Sequence, residues 1–285
     1  MLNYLLRSAS EQLIAARVGS PRMNAELLLM FILGCDRAYL YAHPERELSQ
    51  EEQARYQEAI RQRSRGVPAQ YITGHQEFWG LDLIVSPAVL IPRPETEHVI
   101  ETVVALHRRL GSSGDFRRIV DVGTGSGAIA LALAMELPQA EVHATDISPS
   151  ALEIARANAA RHQFEGRIHF HETNLLQGLP LGVFDLVVSN PPYVGESEED
   201  QVQLEVRKFE PRTAVFAGPT GLEVIERLLP QAHARLKPGG WLVLEISGAI
   251  AVELRRRLES WEEVAITHDL QGVPRVAAAR KSSPA

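Results

Sequence analysis

The chain has 285 residues, 45% of them hydrophobic, which is enough for one large domain or two smaller ones with a sizeable core. Its formal net charge of −7 argues against a protein that grips nucleic-acid phosphates over a wide surface. The single cysteine, Cys35, excludes a disulfide framework and a cysteine-based metal site.

Membrane and metal signals are weak throughout the chain. No apolar run reaches the ~18 residues of a membrane span, and the N-terminus lacks the basic start of a signal peptide. The ten histidines show no metal-ligand spacing. We therefore expect a cytoplasmic protein without a metal or membrane partner, and nothing in the sequence requires more than a monomer.

Residues 1–72 predict a small bundle of four or five short helices. Apolar residues such as Leu6 and Leu13 recur there at helical spacing. Ser49, with Glu52 three residues later, has the pattern of a capping box that opens another helix. We expect these residues to form a separate helical domain.

The pattern changes after Gly66. Residues 73–92 carry aromatics, alternation and turn residues, which favour a β-hairpin linker. The segment PRPETEHVIE then predicts a helix that begins near Thr96 and Glu97. Its N-terminus is a candidate site for a carboxylate of a ligand, although ordinary helix capping explains these residues equally well.

From about Arg117 the chain alternates short apolar runs with helical patterns. The runs are RRIVDV, EVHATD, RIHFHE, FDLVVS and WLVLEI, and the last segment, WEEVAITHDLQGVPRVAAARK, indicates two more strands. Such alternation predicts an α/β fold with a parallel, doubly wound Rossmann-like sheet and helices on both faces. We expect residues 93–285 to form this domain.

A glycine-rich turn, DVGTGSGA, joins the first strand of this series to its helix. It comprises Gly123, Thr124, Gly125, Ser126 and Gly127. Glycines there let the backbone approach a ligand closely. The spacing fits both the dinucleotide fingerprint and the loop of enzymes that use S-adenosylmethionine, so the turn alone leaves the cofactor open.

Two further positions are candidates for contacts with adenosine. Asp146 ends the second strand, where a carboxylate accepts hydrogen bonds from ribose hydroxyls; the alternative is that it caps the next helix. Asn174 and Leu175 follow the third strand, where side chains are expected beside an adenine.

The fourth strand ends in the sequence Asn190, Pro191, Pro192 and Tyr193. The prolines lack N–H donors and force Asn190 into an extended conformation. Ligands bind at the switch point of such sheets, which the first and fourth strands flank, so Asn190 is expected across a crevice from the glycine turn. The alternative is that the prolines only terminate the strand.

At this point the chain resembles a known family over essentially its whole length. The segments RGVPAQYITGHQEFWGLDL, VLIPRPETEHVIE, DVGTGSGAIALALA, DLVVSNPPYV and EPRTAVFAGPTGLEVIERLL resemble the peptide chain release factor glutamine N5-methyltransferases, the PrmC/HemK family. The resemblance implies S-adenosyl-L-methionine as cofactor and methylation of a glutamine side-chain amide, that of a GGQ motif, in release factors. It also implies an N-terminal helical domain joined to the catalytic domain through a hairpin.

The resemblance also implies roles for individual residues. The Asn190 side-chain oxygen and the Pro191 carbonyl would each accept one N–H of the target amide, and Tyr193 would pack against the flat amide, beside Pro192. Asn174 and Leu175 depart from the acidic and aromatic residues common in the family, but asparagine can still form a hydrogen bond with adenine and leucine can still pack on it. The rival hypotheses are an N6-adenine methyltransferase acting on nucleic acid, a non-catalytic cofactor-binding module and a dehydrogenase.

Overall fold

The computed structural model describes residues 1–111 and 116–283, and these divide into two compact units. The first unit comprises Met1–His75 together with a distant segment, Gln203–Phe209. The second comprises Gln76–Val202 and Glu210–Ala285. The linear domain boundaries that the sequence suggests, at 72 and 92, stay a prediction.

The first unit is helical in its described residues. Its elements are α1 (Leu2–Ala15), α2 (Pro21–Leu33), α3 (Arg37–Ala42), α4 (Gln50–Ser64), α5 (Ala69–Thr73) and, from the distant segment, α9 (Leu204–Phe209). Helices α1, α2 and α4 share one apolar core that includes Leu2, Leu28 and Ile60. The bundle expected from residues 1–72 is therefore present, and α9 joins it from far along the chain.

Two polar features shape this unit. The Ser49 hydroxyl accepts a bond from the Glu52 N–H at 3.2 Å, and a Glu52 carboxylate oxygen accepts one from the Ser49 N–H at 2.8 Å. This is the capping box expected at the start of α4. The buried Arg63 guanidinium forms an ion pair at 2.9 Å with Glu205, and this pair attaches α9 to α4.

The second unit contains the hairpin, the large sheet and the helices that cover it. Its helices are α6 (Glu97–Leu110), α7 (Ala128–Glu136), α8 (Pro149–Arg161), α10 (Arg212–Val215), α11 (Glu223–Arg235) and α12 (Ala251–Arg257), with 3₁₀ turns at Pro94–Thr96 and Glu196–Gln201. Its strands are β1 (His75–Phe78), β2 (Leu81–Ile84), β3 (Arg118–Val122), β4 (Glu141–Asp146), β5 (Ile168–Glu172), β6 (Phe184–Ser189), β7 (Val194–Gly195), β8 (Phe216–Gly218), β9 (Leu236–Glu245), β10 (Glu262–His268) and β11 (Pro274–Arg280).

Within the described residues, seven strands form one sheet in the order β10-β11-β9-β6-β3-β4-β5. The strands β9, β6, β3, β4 and β5 run parallel, whereas β11 is antiparallel to both β9 and β10. The first and fourth strands of the series, β3 and β6, are neighbours, with Val122 beside Ser189. This confirms the doubly wound fold and the switch point between these two strands.

Alternate residues of the central strands face two separate cores. Ile119 and Leu186 face one apolar cluster with α6 and α7, whereas Val120 and Val187 face another with α11 and α12. Strands that are apolar on both faces are expected where helices cover both sides of a parallel sheet. None of the helices described by the structure is both long and apolar enough to cross a membrane.

Asn158 on α8 is fully buried and connects the hairpin to the glycine-rich turn. Its Oδ1 atom accepts a bond from the Ile84 N–H at 2.7 Å, and its Nδ2 atom donates to the Ile84 carbonyl at 3.0 Å. The same Nδ2 atom donates to the Ser126 carbonyl at 2.9 Å. One amide therefore satisfies three backbone groups, one buried at Ser126 and two half-buried at Ile84, that belong to two different segments.

We predict that Asn158→Ala lowers the free energy of unfolding by about 3 kcal/mol or more, because buried backbone groups lose their partners at roughly 1–3 kcal/mol each. Urea unfolding of the whole protein measures this. Asn3→Ala, at an exposed position of α1, is the control and should stay within about 0.5 kcal/mol of wild type. Equal effects of the two substitutions would show that the Asn158 bonds do not stabilise the fold.

Candidate active site

The carboxyl ends of β3, β4 and β5, together with the start of the segment after β6, surround a cavity of about 320 Å³. Several of the residues singled out in the sequence line it: Gly123, Gly125, Asp146, Asn174, Leu175 and Pro192. The cavity lies at the switch point, where ligands bind in sheets of this kind. The structure therefore brings the glycine-rich turn and Pro192 to one crevice of the second unit, whereas Asn190, Pro191 and Tyr193 are not among the described residues that line this cavity.

The three glycines of the turn have different roles. Gly123 and Gly125 have φ angles of +72° and +55°, and a Cβ atom added at either would meet no atom within 4 Å. These two positions are open towards the cavity. At Gly127 an added Cβ would lie 2.6 Å from Leu131 Cδ1 and 3.3 Å from Ala155 Cβ, so this glycine permits close packing of α7 and α8.

The two polar side chains of the turn point into the protein. Thr124 and Ser126 are both buried, and the Thr124 hydroxyl donates to Asp121 Oδ2 at 2.6 Å. The Thr124 N–H donates to the Thr145 carbonyl at 2.9 Å. The Thr124 carbonyl accepts from the Gly127 N–H at 2.8 Å, and the Ser126 carbonyl accepts from Asn158, so these two residues stabilise the turn itself. Their proposed contact with a cofactor stays a prediction.

Asp146 holds the turn from the end of β4 and is half-buried at the cavity. Its two oxygens accept bonds from the N–H groups of Gly125 and Ser148, both at 2.9 Å. Because a carboxylate has about four acceptor positions, it can still accept bonds from hydroxyl groups of a ligand. The cap of α8 is Ser148, whose hydroxyl accepts from the Ala151 N–H at 3.2 Å, so Asp146 holds the turn and not the helix end, and ligand binding by Asp146 stays a prediction.

Asn174 and Leu175 line the opposite side of the cavity after β5, and both are half-buried. Leu175 has a φ angle of +57°, which a residue with a β-carbon rarely adopts. Such a strained backbone conformation persists only where the surrounding structure holds the chain in place. Contact of this pair with an adenine stays a prediction.

Asn190 follows β6 directly, and its amide is held by a residue far away in the sequence. Its Nδ2 atom donates to Thr96 Oγ1 at 3.1 Å. Thr96 is buried at the end of the 3₁₀ turn that precedes α6. With the NH₂ group of Asn190 used in this way, its side-chain oxygen is the group that remains for a ligand.

Thr96 and Glu97 bind different partners, although both lie at the start of α6. Glu97 accepts a bond from the Trp79 N–H at 2.9 Å and so connects the helix to the turn of the hairpin. Only Thr96 reaches Asn190. Both side chains thus have protein partners, and a ligand carboxylate at the N-terminus of this helix stays a prediction beside ordinary capping.

Tyr193 is fixed by a buried carboxylate that sequence reasoning missed. Its hydroxyl donates to Glu245 Oε1 at 3.2 Å. Burial and the neighbouring Glu245 carboxyl raise the pKa of Tyr193 well above its usual value. The signal for Glu245 in the sequence is a single acidic residue at the end of the apolar run WLVLEI.

A second loop packs tightly on the backbone of Tyr193. A Cβ atom added at Gly221, which has a φ angle of +85°, would lie 2.4 Å from the Tyr193 carbonyl oxygen. One added at Gly195 would lie 3.1 Å from the Pro219 carbonyl oxygen. The short strands β7 and β8 pair beside these contacts, so the segment after the prolines is confined on two sides.

Asp121, at the carboxyl end of β3, is the second buried carboxylate of the site. It is fully buried beneath the turn, and its Oδ1 atom makes no hydrogen bond of normal length within residues 1–111 and 116–283. Burial raises its pKa to about 7, and the nearby Asp146 charge adds to this rise, whereas the Thr124 bond opposes it. The first residue of DVGTGSGA therefore titrates near neutral pH.

We predict that Asp121 makes the stability of the protein depend on pH. Between its unfolded pKa near 3.8 and its folded pKa of about 7, the folded state binds more protons, so its contribution to stability falls as the pH rises. Asp121→Asn lacks this titration. The unfolding free energy of the variant relative to wild type should therefore increase by about 2 kcal/mol between pH ~5.5 and pH ~8.

Urea unfolding of both proteins at several pH values measures this difference. The comparison within each pH removes titrations that the two proteins share. Parallel curves of stability against pH would contradict the assignment of a raised pKa to Asp121.

Comparison with known proteins agrees with this architecture. Residues 102–208 match the family model described as methyltransferase small domain, and residues 4–74 match the PrmC N-terminal domain. Among solved structures, the 16S rRNA N2 G1207 methyltransferase of T. thermophilus in complex with AdoMet and guanosine aligns with a TM-score of 0.53 at 20% identity, covering 73% of this chain and 49% of that one. The chain therefore has a Rossmann-like methyltransferase fold.

Curated relatives define the family more closely. The release factor glutamine methyltransferase of Koribacter versatilis is 55% identical over 98% of both chains. That of Rhodopirellula baltica is 40% identical over 92% of this chain and 90% of its own. The chain belongs to the release factor glutamine methyltransferase family.

Proposed function

We propose that this protein transfers a methyl group from S-adenosyl-L-methionine to the side-chain amide nitrogen, N5, of a glutamine in a peptide chain release factor. The observation that carries the proposal is the bond from Asn190 Nδ2 to Thr96 Oγ1. It leaves the Asn190 oxygen as one acceptor, and Pro191, the next residue in the chain, adds a carbonyl as a second. An amide NH₂ group has two hydrogens to donate. The family membership supports the same substrate.

The residues of the cavity fit the proposed cofactor. Gly123 and Gly125 are open towards the cavity, and the Asp146 carboxylate lines it with unused acceptor capacity. Asn174 and Leu175 would contact the adenine, one by a hydrogen bond and the other by packing. When bound, S-adenosylmethionine would supply an electrophilic methyl group on a sulfonium centre.

Asn190 and Pro191 orient the nucleophile. An amide nitrogen is a weak nucleophile, because its lone pair is delocalised into the carbonyl group. Two acceptors that hold its hydrogens align the nitrogen and stabilise the positive charge that develops there, so their bonds strengthen in the transition state. The proposed contribution of the protein is therefore positioning and electrostatics, without a general base before attack.

Pro192 and Tyr193 keep these acceptors in place. The two prolines add no N–H donor that would compete for the acceptors, and both have restricted φ angles. Tyr193 is held by Glu245 on one side and by the Gly221 backbone on the other. The ring of Tyr193 is in this way available as a rigid surface for the flat amide.

For the first unit we propose recognition of the protein substrate. It matches the PrmC N-terminal domain, and it lies outside the sheet that carries the cavity. Several large apolar side chains are exposed on it, among them Tyr4, Ile14 and Tyr41. Exposed apolar and aromatic side chains of this kind are common in protein interfaces.

The experiment that tests the function is mass spectrometry of a release factor after incubation with the protein and S-adenosylmethionine. We expect the mass of one added methylene on a single glutamine. A DNA or RNA oligonucleotide with exposed adenines is incubated in parallel, as the substrate of the N6-adenine hypothesis. Methylated adenine with an unmodified release factor would overturn the proposal, and the net charge of −7 argues against that result.

We predict that Gly125→Val lowers the affinity for S-adenosylmethionine by at least ~10-fold, or about 1.4 kcal/mol, because the side chain fills cavity space. Gly272→Val is the matched control. Gly272 also has a positive φ angle, of +78°, and no atom within 4 Å of an added Cβ, but it does not line the cavity. Calorimetry that shows equal affinity for the two variants would contradict a cofactor site at Gly125.

We predict that Asn190→Ala and Asn190→Asp lower single-turnover methylation at least ~100-fold, near the effect of losing one oxyanion-hole donor. Alanine removes the acceptor, and aspartate loses the donor to Thr96 while adding a charge. Because the lost bond strengthens in the transition state, the effect should appear mainly in kcat. Binding of S-adenosylmethionine should stay within a few-fold of wild type. Wild-type rates in either variant would show that Asn190 only ends the strand.

A further inference from the structure

Glu245 is a buried carboxyl group next to the residues that hold the target amide. It ends β9, which pairs in parallel with β6 so that Leu244 lies beside Ser189. The following residues of the two strands, Glu245 and Asn190, therefore leave the sheet side by side. Glu245 is only 3% exposed, between the core residues Leu244 and Ile246.

Two hydroxyl groups act on this carboxyl group, and of the two, Tyr193 forms the hydrogen bond of ordinary geometry in the described part of the chain. The Tyr193 hydroxyl donates to Oε1 at 3.2 Å. The Thr96 hydroxyl, which accepts from Asn190 Nδ2, also acts on Glu245 and lowers its pKa. Glu245 Oε2 makes no hydrogen bond of normal length within the described residues, so acceptor capacity remains there.

The charge on Glu245 decides which way these hydroxyls point. A carboxylate only accepts hydrogen bonds, so a charged Glu245 favours the Thr96 orientation in which the proton faces Glu245 and the lone pair accepts from Asn190 Nδ2. Asn190 then presents its oxygen to the crevice. A hydrogen donor at position 245 would reverse the direction of these hydrogen bonds. Thr96 would then donate to the side-chain oxygen of Asn190, and the Asn190 NH₂ group would face the NH₂ group of the substrate.

We propose that Glu245 is a positioning residue for methyl transfer, which sets the orientation of the Asn190 amide through Thr96 and fixes the Tyr193 ring directly. The inference rests on the proposed function. Asn190 and Tyr193 touch the substrate in that function, and Glu245 acts only through them. Glu245 lies on β9, the neighbour of β6, so this one carboxyl group can act on both Asn190 and Tyr193.

The surroundings of Glu245 place its titration near neutral pH. Burial raises its pKa to about 7, and the hydroxyls of Thr96 and Tyr193 oppose this rise. Of the charged groups that face it, Glu95 raises the pKa and Arg275 lowers it, and Arg275 is itself paired with Asp269 at 2.8 Å. Acidification through this range protonates Glu245, so the transfer rate should rise with pH as the carboxylate forms.

The test is the single-turnover rate of release factor methylation at saturating S-adenosylmethionine, between pH ~6 and pH ~8.5. The wild-type rate should rise through about pH 7. Glu245→Gln keeps the shape but can accept at only one of its two polar atoms, so its rate should fall at least ~10-fold and lose the pH step. Asp185→Asn, which removes a carboxylate at the other end of β6, should keep the wild-type profile.

A double-mutant cycle separates positioning from a general loss of structure. Because Tyr193→Phe removes one donor to Glu245, the two substitutions should be non-additive: Glu245→Gln should have a smaller effect on the rate in the Tyr193→Phe background. Strict additivity, or wild-type rates in Glu245→Gln, would overturn the inference. If Glu245→Gln does not fold, a flat wild-type profile across this pH range overturns it instead.

A measurement without substrate distinguishes this inference from the proposed function. The Cζ signal of Tyr193 in ¹³C-tyrosine-labelled protein should shift as Glu245 titrates and should be constant in Glu245→Gln. A Tyr193 signal that does not respond to pH in the wild type overturns the Glu245 inference. A responsive signal in a protein that methylates no release factor would overturn the proposed function and leave the hydrogen-bond chain intact.

Discussion

The Asn190 side chain carries a donor and an acceptor on one planar group, and the proposed reaction uses only the acceptor. Everything else at the site depends on which way that group is turned. The Thr96 hydroxyl holds the NH₂ end at 3.1 Å, and it lies at the start of a helix that packs on the sheet. Protein interiors tolerate such polar chains when each member is paired, because an unpaired buried group is costly.

The sheet explains why these groups meet. Strands β3, β6 and β9 are neighbours, so the glycine-rich turn, Asn190 and Glu245 emerge along one edge. Each strand contributes a different property: an open backbone at Gly123, an amide at Asn190 and a carboxyl group at Glu245. Neighbouring parallel strands thus assemble residues that are far apart in the sequence without any loop having to be long.

Patterns within the sequence were sufficient for the sheet and for the cavity-lining turn, because alternation and glycine spacing are local properties. They could not show that β11 runs antiparallel between β9 and β10, since periodicity carries no direction. The Thr96 partner of Asn190 is 94 residues away, and the contact of Gly221 with Tyr193 depends on the packing of two loops. Gly127 matches the motif as well as Gly125 does, but its role in the packing of two helices is visible only in the three-dimensional structure.

The segment Gln203–Phe209 has a consequence for synthesis of the chain. It completes the first unit through the ion pair between Arg63 and Glu205, although more than a hundred residues of the second unit separate these two partners. The helices of residues 1–75 leave the ribosome early, but α9 follows only after most of the large sheet has been made. Because domains fold as units during synthesis, the first unit has to wait, with part of its surface uncovered, until translation passes Phe209.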